Sequence, residues 1–98
     1  MYLNIHDTRS GRIVAICDEN LIGKTFLEGE AVLDLKKHSG FYKGKKASKD
    51  EVVTALKSFT SANLVGQESI SVAISMGIIS EDNIQYIEEI PHVQIYNI

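Results

Sequence analysis

The residues best suited to binding a ligand form a cluster of lysines between positions 36 and 49. This stretch holds six lysines and no acidic residue, and Phe41 and Tyr42 lie among them. Ammonium groups can bind phosphates, and aromatic rings can stack on the exposed bases of single-stranded RNA. The pattern predicts a nucleic-acid-binding segment made of Lys36, Lys37, Phe41, Tyr42, Lys43, Lys45, Lys46 and Lys49. A solvated surface loop, with Phe41 packed back onto the core, explains the same pattern equally well.

The rest of the chain is acidic. The formal net charge is −3, and residues 36–49 contribute +6, so the remaining residues carry −9. This balance excludes a general nucleic-acid coat, whose whole surface is basic. It still allows local attraction of phosphates, because salt confines such interactions to about 8–10 Å.

A second candidate lies near the end of the chain. His92 and Gln94 follow Pro91 and point to the same face of a predicted strand, because side chains alternate along a strand. Both side chains can donate and accept hydrogen bonds. They can therefore contact a base edge or a reacting group. The alternative is that His92 satisfies a nearby backbone group.

Two strand faces also carry polar and aromatic side chains. In the first strand these are Tyr2, Asn4 and His6, and in the last strand they are His92, Gln94 and Tyr96. If both strands belong to one sheet, the six residues form one polar and aromatic surface of the kind that serves as a base platform. Helices that cover this face would remove that role.

Two further motifs do not support catalysis. Gly23, Lys24 and Thr25 match the end of a phosphate-binding loop, but the position five residues before Gly23 is Asp18 rather than glycine. Cys17 is next to Asp18, and a neighbouring acid opposes the thiolate that a nucleophile needs. We expect a turn glycine, an exposed lysine and a buried cysteine. The sequence holds no second cysteine and no paired histidines, so we expect neither a metal nor a cofactor.

The elements that position these residues follow from hydrophobic periodicity. Apolar and alternating runs predict strands at 2–7, 12–17, 24–27, 31–35, 84–88 and 93–98, with Pro91 outside the last one. A capping box at Ser48 and Glu51 begins a helix that extends to Asn63, and a second helix covers 67–76 and ends at Gly77. Residues 36–47 have no period and predict a long exposed loop.

The order ββββααββ predicts a single α+β domain over residues 1–98, with two helices packed on a mostly antiparallel sheet. The 98 residues suffice for one modest core. A lone cysteine is typical of a reducing compartment, and the sequence contains no apolar run of the ~20 residues that span a membrane. The first residues alternate and are not basic, so we expect no signal peptide. We therefore expect a cytoplasmic protein without a membrane partner. Its oligomeric state is left open.

Three segments together resemble a known family. They are Cys17 to Phe26, Asn63 to Gly66, and Pro91 to Gln94, and in this order they are similar to the archaeal family 424 of the domains of unknown function. The resemblance implies an archaeal cytoplasmic protein. The family has no established activity, and RNA binding or a role in translation has been guessed for it. The positions that match a common family site are Asp18, Glu19, Gly23, Lys24, Asn63, Gly66, His92 and Gln94.

Three functions are consistent with these observations. The leading one is a non-catalytic RNA- or ribosome-associated binding module that uses the lysine-rich residues 36–49, which we call the basic segment. The second is a small enzyme or ligand-binding protein with a polar cleft around Asp18, Glu19, Asn63 and His92. The third is a protein-interaction subunit that binds through an exposed sheet edge.

Overall fold

Strands and helices alternate through residues 1–97, the part of the chain that the computed structural model describes. The α-helices there are α1 (Ser39–Tyr42), α2 (Lys49–Ala55) and α3 (Gln67–Ser75). The strands are β1 (Tyr2–Thr8), β2 (Gly11–Cys17), β3 (Thr25–Glu28), β4 (Ala31–Asp34), β5 (Lys45–Lys46), β6 (Ser61–Val65), β7 (Gln85–Ile87) and β8 (Ile90–Tyr96). Glu19–Leu21 and Glu81–Asn83 form short 3₁₀ turns. None of the described helices is long and apolar enough to cross a membrane.

Six of the described strands form one sheet, in the order β5-β1-β2-β6-β8-β7. Only the β2 and β6 pair of this sheet is parallel within the described residues, and β3 and β4 form a separate antiparallel hairpin. The predicted class, α+β with a mostly antiparallel sheet, is confirmed. The observed order adds three elements that the sequence analysis missed, namely α1, β5 and β6.

The predicted helix over 48–63 is wrong in its second half, which contains the start of the strand β6. The capping box is present, since Ser48 Oγ accepts a hydrogen bond from Glu51 N at 3.2 Å. However, α2 ends at Ala55, and Ser61–Val65 lies at the centre of the sheet. This segment pairs with β2 on one side and β8 on the other. Hydrogen bonds on both edges and the burial of Ala62, Leu64 and Val65 outweigh the helical spacing of the apolar residues.

The predicted loop over 36–47 is also wrong. It contains α1 and β5, and β5 pairs with β1. Asn4 Nδ2 donates to the Gly40 carbonyl at 3.2 Å. Gly44 allows the close approach, because a Cβ atom there would lie 2.5 Å from the Leu3 carbonyl oxygen. Contacts with β1 therefore order a segment whose sequence has no period of its own.

Pro91 was expected to lie outside the last strand, but it is part of β8. Its carbonyl accepts a hydrogen bond from the N–H of Gly66 at 2.8 Å, and Gly66 is the residue that connects β6 to α3. The ladder between β6 and β8 begins one residue later, at Val65 and His92. The missing N–H of proline therefore costs no ladder hydrogen bond with β6.

One face of the sheet carries the main core, and we call it the helix face. Paired positions of β1, β2, β6 and β8 present Leu3, Ile16, Leu64 and Val93 to this side. All four are buried. Val52 of α2, Leu56 at its C-cap, and Ile70 and Ala73 of α3 are buried against them. The predicted end of α3 is confirmed, since Gly77 has φ +73° and Ile78 N donates to the Ala73 carbonyl at 3.3 Å.

The opposite side, which we call the hairpin face, has three rows of side chains across β1, β2, β6 and β8. The rows are Tyr2, Cys17, Val65 and His92; then Asn4, Ala15, Asn63 and Gln94; then His6, Ile13, Ser61 and Tyr96. The first and last strands therefore do share one sheet, and their polar side chains share one face. The β3–β4 hairpin and α1 cover part of it through a second apolar cluster around Cys17, Leu21, Leu35 and Val65.

Candidate functional site

A groove lies on the hairpin face between the sheet and the elements that cover it. It consists of an inner cavity of about 220 Å³ and an outer cavity of about 430 Å³. The two cavities share Leu33, Tyr42, Asn63 and Gln94, so they form one continuous groove. Strands β6 and β8 supply its floor, while β4 and α1 supply its wall.

The inner cavity is polar but uncharged. Four amide side chains line it, from Asn63, Asn83, Gln85 and Gln94, and His92 lies beside them. Asn63 pairs with Gln94 across the strands, and Gln85 pairs with His92. No Asp, Glu, Lys or Arg is among the described residues that line this cavity. The cavity can therefore both donate and accept hydrogen bonds without presenting a charge.

His92 places a buried nitrogen, without a partner among the described residues, at the groove. Its Nε2 atom is buried and has no hydrogen-bond partner within residues 1–97. Burial lowers the pKa of His92 below its ordinary value, because the charged imidazolium loses its hydration. The imidazole is therefore neutral near pH 7, and its Nε2 lacks the partner that a buried polar atom normally has.

The aromatic residues of the basic segment are engaged in packing. The Phe41 ring stacks on His6 with centroids 4.8 Å apart, and the His6 Nε2–H donates to the Phe41 carbonyl at 2.8 Å. Tyr42 packs against the second apolar cluster. Burial raises the pKa of Tyr42 to about 12, so its hydroxyl keeps its proton. These contacts confirm that Phe41 packs back onto the domain, and they leave neither ring fully free.

The outer cavity borders the start of the basic segment. Asp34 lines it, but Asp34 Oδ1 accepts hydrogen bonds from Lys37 N at 2.8 Å, Lys36 N at 3.1 Å and Thr25 Oγ1 at 3.1 Å. The Lys37 backbone hydrogen bond is the main reason that the pKa of Asp34 is lowered. This carboxylate holds the turn between β4 and α1, which places Lys36 and Lys37 beside the groove.

The six lysines do not act as one patch. Lys46 forms an ion pair with Glu19 at 2.9 Å, and Lys45 forms one with Glu51. Their strand partners are Tyr2 for Lys46 and Leu3 for Lys45, so the two lysines lie on opposite faces of the sheet. Lys43 Nζ lies 5.8 Å from the centre of the Tyr2 ring, on the hairpin side. Within residues 1–97, Lys36, Lys37 and Lys49 are exposed and form no ion pair.

Two of the family positions support the fold rather than the groove. Asp18 is 6% exposed, and its carboxylate accepts hydrogen bonds from Glu68 N at 2.9 Å, Ser69 N at 2.8 Å and Ser69 Oγ at 2.7 Å. These are the first amides of α3, which favour a negative charge. Gly66 has φ +105°, and a Cβ atom there would lie 2.2 Å from Asp18 Cγ. Asp18 and Gly66 therefore form one junction between β2 and α3.

The remaining family positions divide between the hairpin and the groove. Gly23 has φ +86° and donates its N–H to the Leu35 carbonyl at 2.9 Å, which closes the base of the β3–β4 hairpin. Lys24 and Glu19 are exposed, as the sequence predicts for Lys24. Asn63, His92 and Gln94 line the groove. The predicted cleft around Asp18, Glu19, Asn63 and His92 thus contains only the last two.

Sequence reasoning missed Asn83, Gln85 and Leu33 as groove residues. Asn83 ends a 3₁₀ turn in which its Oδ1 accepts from Ser80 N at 2.9 Å, and Gln85 begins β7. The only available signal was the alternation of β7, which places Gln85 and Ile87 on one face. That signal becomes useful only once the pairing of β7 with β8 is known.

The fold and the groove define a small α+β domain whose sheet presents one polar, partly covered face. The chain belongs to the family described as Protein of unknown function (DUF424), whose model matches residues 5–98. It is also similar to a solved structure, the crystal structure of an uncharacterized conserved protein from Methanopyrus kandleri. That match has a TM-score of 0.79 and 30% sequence identity, and it covers 97% of this chain and 89% of the other. No curated protein matches the sequence.

Proposed function

We propose that this protein binds single-stranded RNA without catalysis, through the hairpin face and the basic segment beside it. The observation that carries the proposal is that the basic segment both presents exposed lysines and lines the groove on the hairpin face. Residues 36–49 supply exposed lysines, and the same segment supplies His38, Phe41 and Tyr42 to the outer cavity of the groove. Phosphates bound by the lysines would therefore hold their bases next to polar side chains.

The electrostatic part of binding rests on fewer lysines than the sequence predicts. Lys36 and Lys37 lie beside the groove without an ion pair among the described residues, and Lys43 lies on the same side. Lys45 and Lys46 must first give up Glu51 and Glu19. The acidic remainder of the chain keeps binding weak at physiological salt and confines it to this side.

We assign base stacking to Tyr96, in place of Phe41 and Tyr42, which the sequence predicts for this role. Tyr96 is 67% exposed and lies on the hairpin face, in the row that contains Ser61 and Ile13. An exposed ring beside Gln94 offers a stacking surface next to hydrogen-bonding groups, and base stacking tolerates any sequence.

Binding without catalysis fits the side chains better than an enzyme does. The oxygens of Asp18 already accept three hydrogen bonds from α3, and Glu19 pairs with Lys46. Burial raises the pKa of the Cys17 thiol to about 12, so it is not a nucleophile at neutral pH. His92 and Asn63 remain, and together they suit recognition by hydrogen bonding.

The test is a titration of a single-stranded RNA oligonucleotide at several salt concentrations. Replacing both Lys36 and Lys37 with alanine should reduce the slope of log affinity against log salt by about 1.4, since each lost phosphate contact accounts for about 0.7. The matched control replaces Arg9 and Lys57 with alanine, which removes the same charge from exposed positions outside the segment. Lys45→Ala with Lys46→Ala should change the slope less than Lys36→Ala with Lys37→Ala.

Two results would contradict the proposal. One is the absence of RNA binding by the wild-type protein at low salt. The other is an equal loss of slope in the control pair and in the Lys36 and Lys37 pair, which would show that only the net charge matters.

A further inference from the structure

We infer that the inner cavity of the groove is a binding site for one nucleobase, held by its hydrogen-bonding edge. This inference deepens the proposed function and rests on it for the source of the base, which would be an unstacked nucleotide of RNA. The cavity itself also fits the base of a free nucleoside. Three features support the site: the residues that line the cavity, the unpartnered nitrogen of His92 and the position of the cavity relative to the basic segment.

The lining selects an uncharged ligand. A charged group in this cavity would find no oppositely charged partner, because no Asp, Glu, Lys or Arg is among the described lining residues. Four amides beside an imidazole instead match a ligand that has several donors and acceptors and no charge. Heterocyclic bases have this property, and Asn and Gln side chains pair with their edges in two-point contacts.

The polar groups are arranged on two neighbouring rungs of the sheet. Asn63 and Gln94 form one pair across β6 and β8, while Gln85 and His92 form the next across β7 and β8. His92 and Gln94 are two residues apart on one strand, which places them about 7 Å apart along it. A single flat ring system can therefore meet both rungs, and Leu33 and Tyr42 provide a wall for its face.

His92 gives an energetic reason for binding. Its Nε2 is buried without a partner among the described residues, a condition that costs free energy in the free protein. A donor or acceptor on the base would provide that partner once the imidazole ring turns to present Nε2 to the cavity. The lowered pKa of His92 keeps the ring neutral at pH 7, so that Nε2 is free to accept or donate according to its tautomer.

The cavity also has a direction. Its shared boundary with the outer cavity leads toward Asp34, His38 and the start of the basic segment. A base in the inner cavity would place its sugar toward this opening, and a phosphate beyond it would approach Lys36 and Lys37. The Asp34 carboxylate lies on that path, and its Oδ1 already accepts hydrogen bonds from three donors.

The experiment adds adenosine, guanosine, cytidine and uridine separately to the ¹⁵N-labelled full chain and records the side-chain amide signals by NMR. At least one nucleoside should shift the signals of Asn63, Asn83, Gln85 and Gln94 in a saturable manner. The signals of Asn20, Gln67 and Asn97, which lie outside the groove, should stay in place. Neutral nucleosides are used because they cannot bind through the lysines.

A matched pair of variants tests the role of one amide. Gln94→Leu removes an exposed amide from the groove, while Gln67→Leu removes an exposed amide from α3. Gln94→Leu should weaken nucleoside binding roughly 3- to 10-fold, the ratio that corresponds to one neutral hydrogen bond. Gln67→Leu should leave it unchanged. The backbone spectrum of each variant reports whether it is folded.

The outcomes separate this inference from the proposed function. If RNA binds with the expected salt slope while no nucleoside shifts the groove amides and Gln94→Leu binds RNA normally, the nucleobase site is wrong and the RNA proposal stands. If a nucleoside binds at the groove amides while RNA does not bind, the site is confirmed for a free nucleoside and the RNA proposal fails. Equal weakening by Gln94→Leu and Gln67→Leu also contradicts the site.

Discussion

The two faces of the central sheet are covered in different ways. On the helix face, α2 and α3 bury a continuous apolar layer in which Val14, Ile16, Val52 and Leu64 are inaccessible or nearly so. On the hairpin face, the apolar cluster around Cys17 and Val65 covers only one end of the strands. The remainder is the groove, where amide side chains reach the surface instead of packing.

Under the proposed function, this difference separates stability from recognition. Burial of apolar area is the main source of stability, and most of it lies on the helix face. The polar residues of the hairpin face add little to the core. Their arrangement in a groove is the basis of the binding proposal made above. Alternate residues of one strand, β6, belong to the two regions, so the contrast can be tested within a few positions.

The largest contrast is expected between Leu64 and Asn63, which are neighbours in β6 and face opposite sides. Leu64→Ala should lower the free energy of unfolding by about 2–5 kcal/mol, because it empties a buried site in the core. Asn63→Ala should lower it by less than about 1 kcal/mol, as is usual for a partly exposed residue whose side chain makes no hydrogen bond within residues 1–97. Urea denaturation measures both. Similar losses would show that the two faces contribute equally.

The junction between β2 and α3, formed by Asp18 and Gly66, should respond nearly as strongly to substitution. Gly66→Ala forces a positive φ on alanine and drives its Cβ into Asp18, so we expect a loss of about 3 kcal/mol or more. Gly29→Ala is the matched control, because Gly29 also has a positive φ, +61°, but nothing lies within 4 Å of its added Cβ. This control should lose only about 1–2 kcal/mol. Thermal or chemical denaturation measures the free energy of unfolding of the two variants. Equal losses would mean that the contact with Asp18 is unimportant.

A smaller effect, on binding rather than stability, should distinguish two exposed tyrosines. Tyr96→Ala should weaken RNA binding by about 1–3 kcal/mol without changing the salt slope, because stacking releases no counterions. Tyr86 is 52% exposed, but it pairs with Pro91 and so alternates to the other side from His92. Tyr86→Ala should bind RNA as the wild type does. A reversed result would move the interface away from the hairpin face.

The smallest effect is the pH dependence that His92 contributes to stability. Because its pKa is lower in the folded state, the unfolded chain binds the proton more readily, and stability falls as pH drops below the ordinary value of 6.5. His92→Gln should remove this contribution, so the wild type should lose more stability than the variant between pH 7 and the lowered pKa. His38→Gln, at an exposed position, is the control. Denaturation curves at several pH values test this, and identical profiles for wild type and His92→Gln would contradict it.

Local signals in the sequence predicted much of the fold. The capping box at Ser48 and the glycine at 77 specify where α2 begins and where α3 ends, because each acts within a few residues of the chain. Alternation in β1 and β8 correctly predicted which polar side chains share a face. It also singled out His92 and Gln94, which line the groove. These features follow from covalent geometry and side-chain chemistry alone.

Tertiary structure decided the rest, because it depends on partners that are distant in the chain. The segment Ser61–Val65 is compatible with a helical spacing, and only its pairing with β2 and β8 makes it a strand. The basic stretch shows six similar lysines, yet pairing with β1 places Lys45 and Lys46 on opposite faces, where they form ion pairs with Glu51 and Glu19. The groove brings together β4, α1, β6 and β8, whose order in space no local pattern specifies. A site of this kind exists only after long-range pairing has set the register of the sheet.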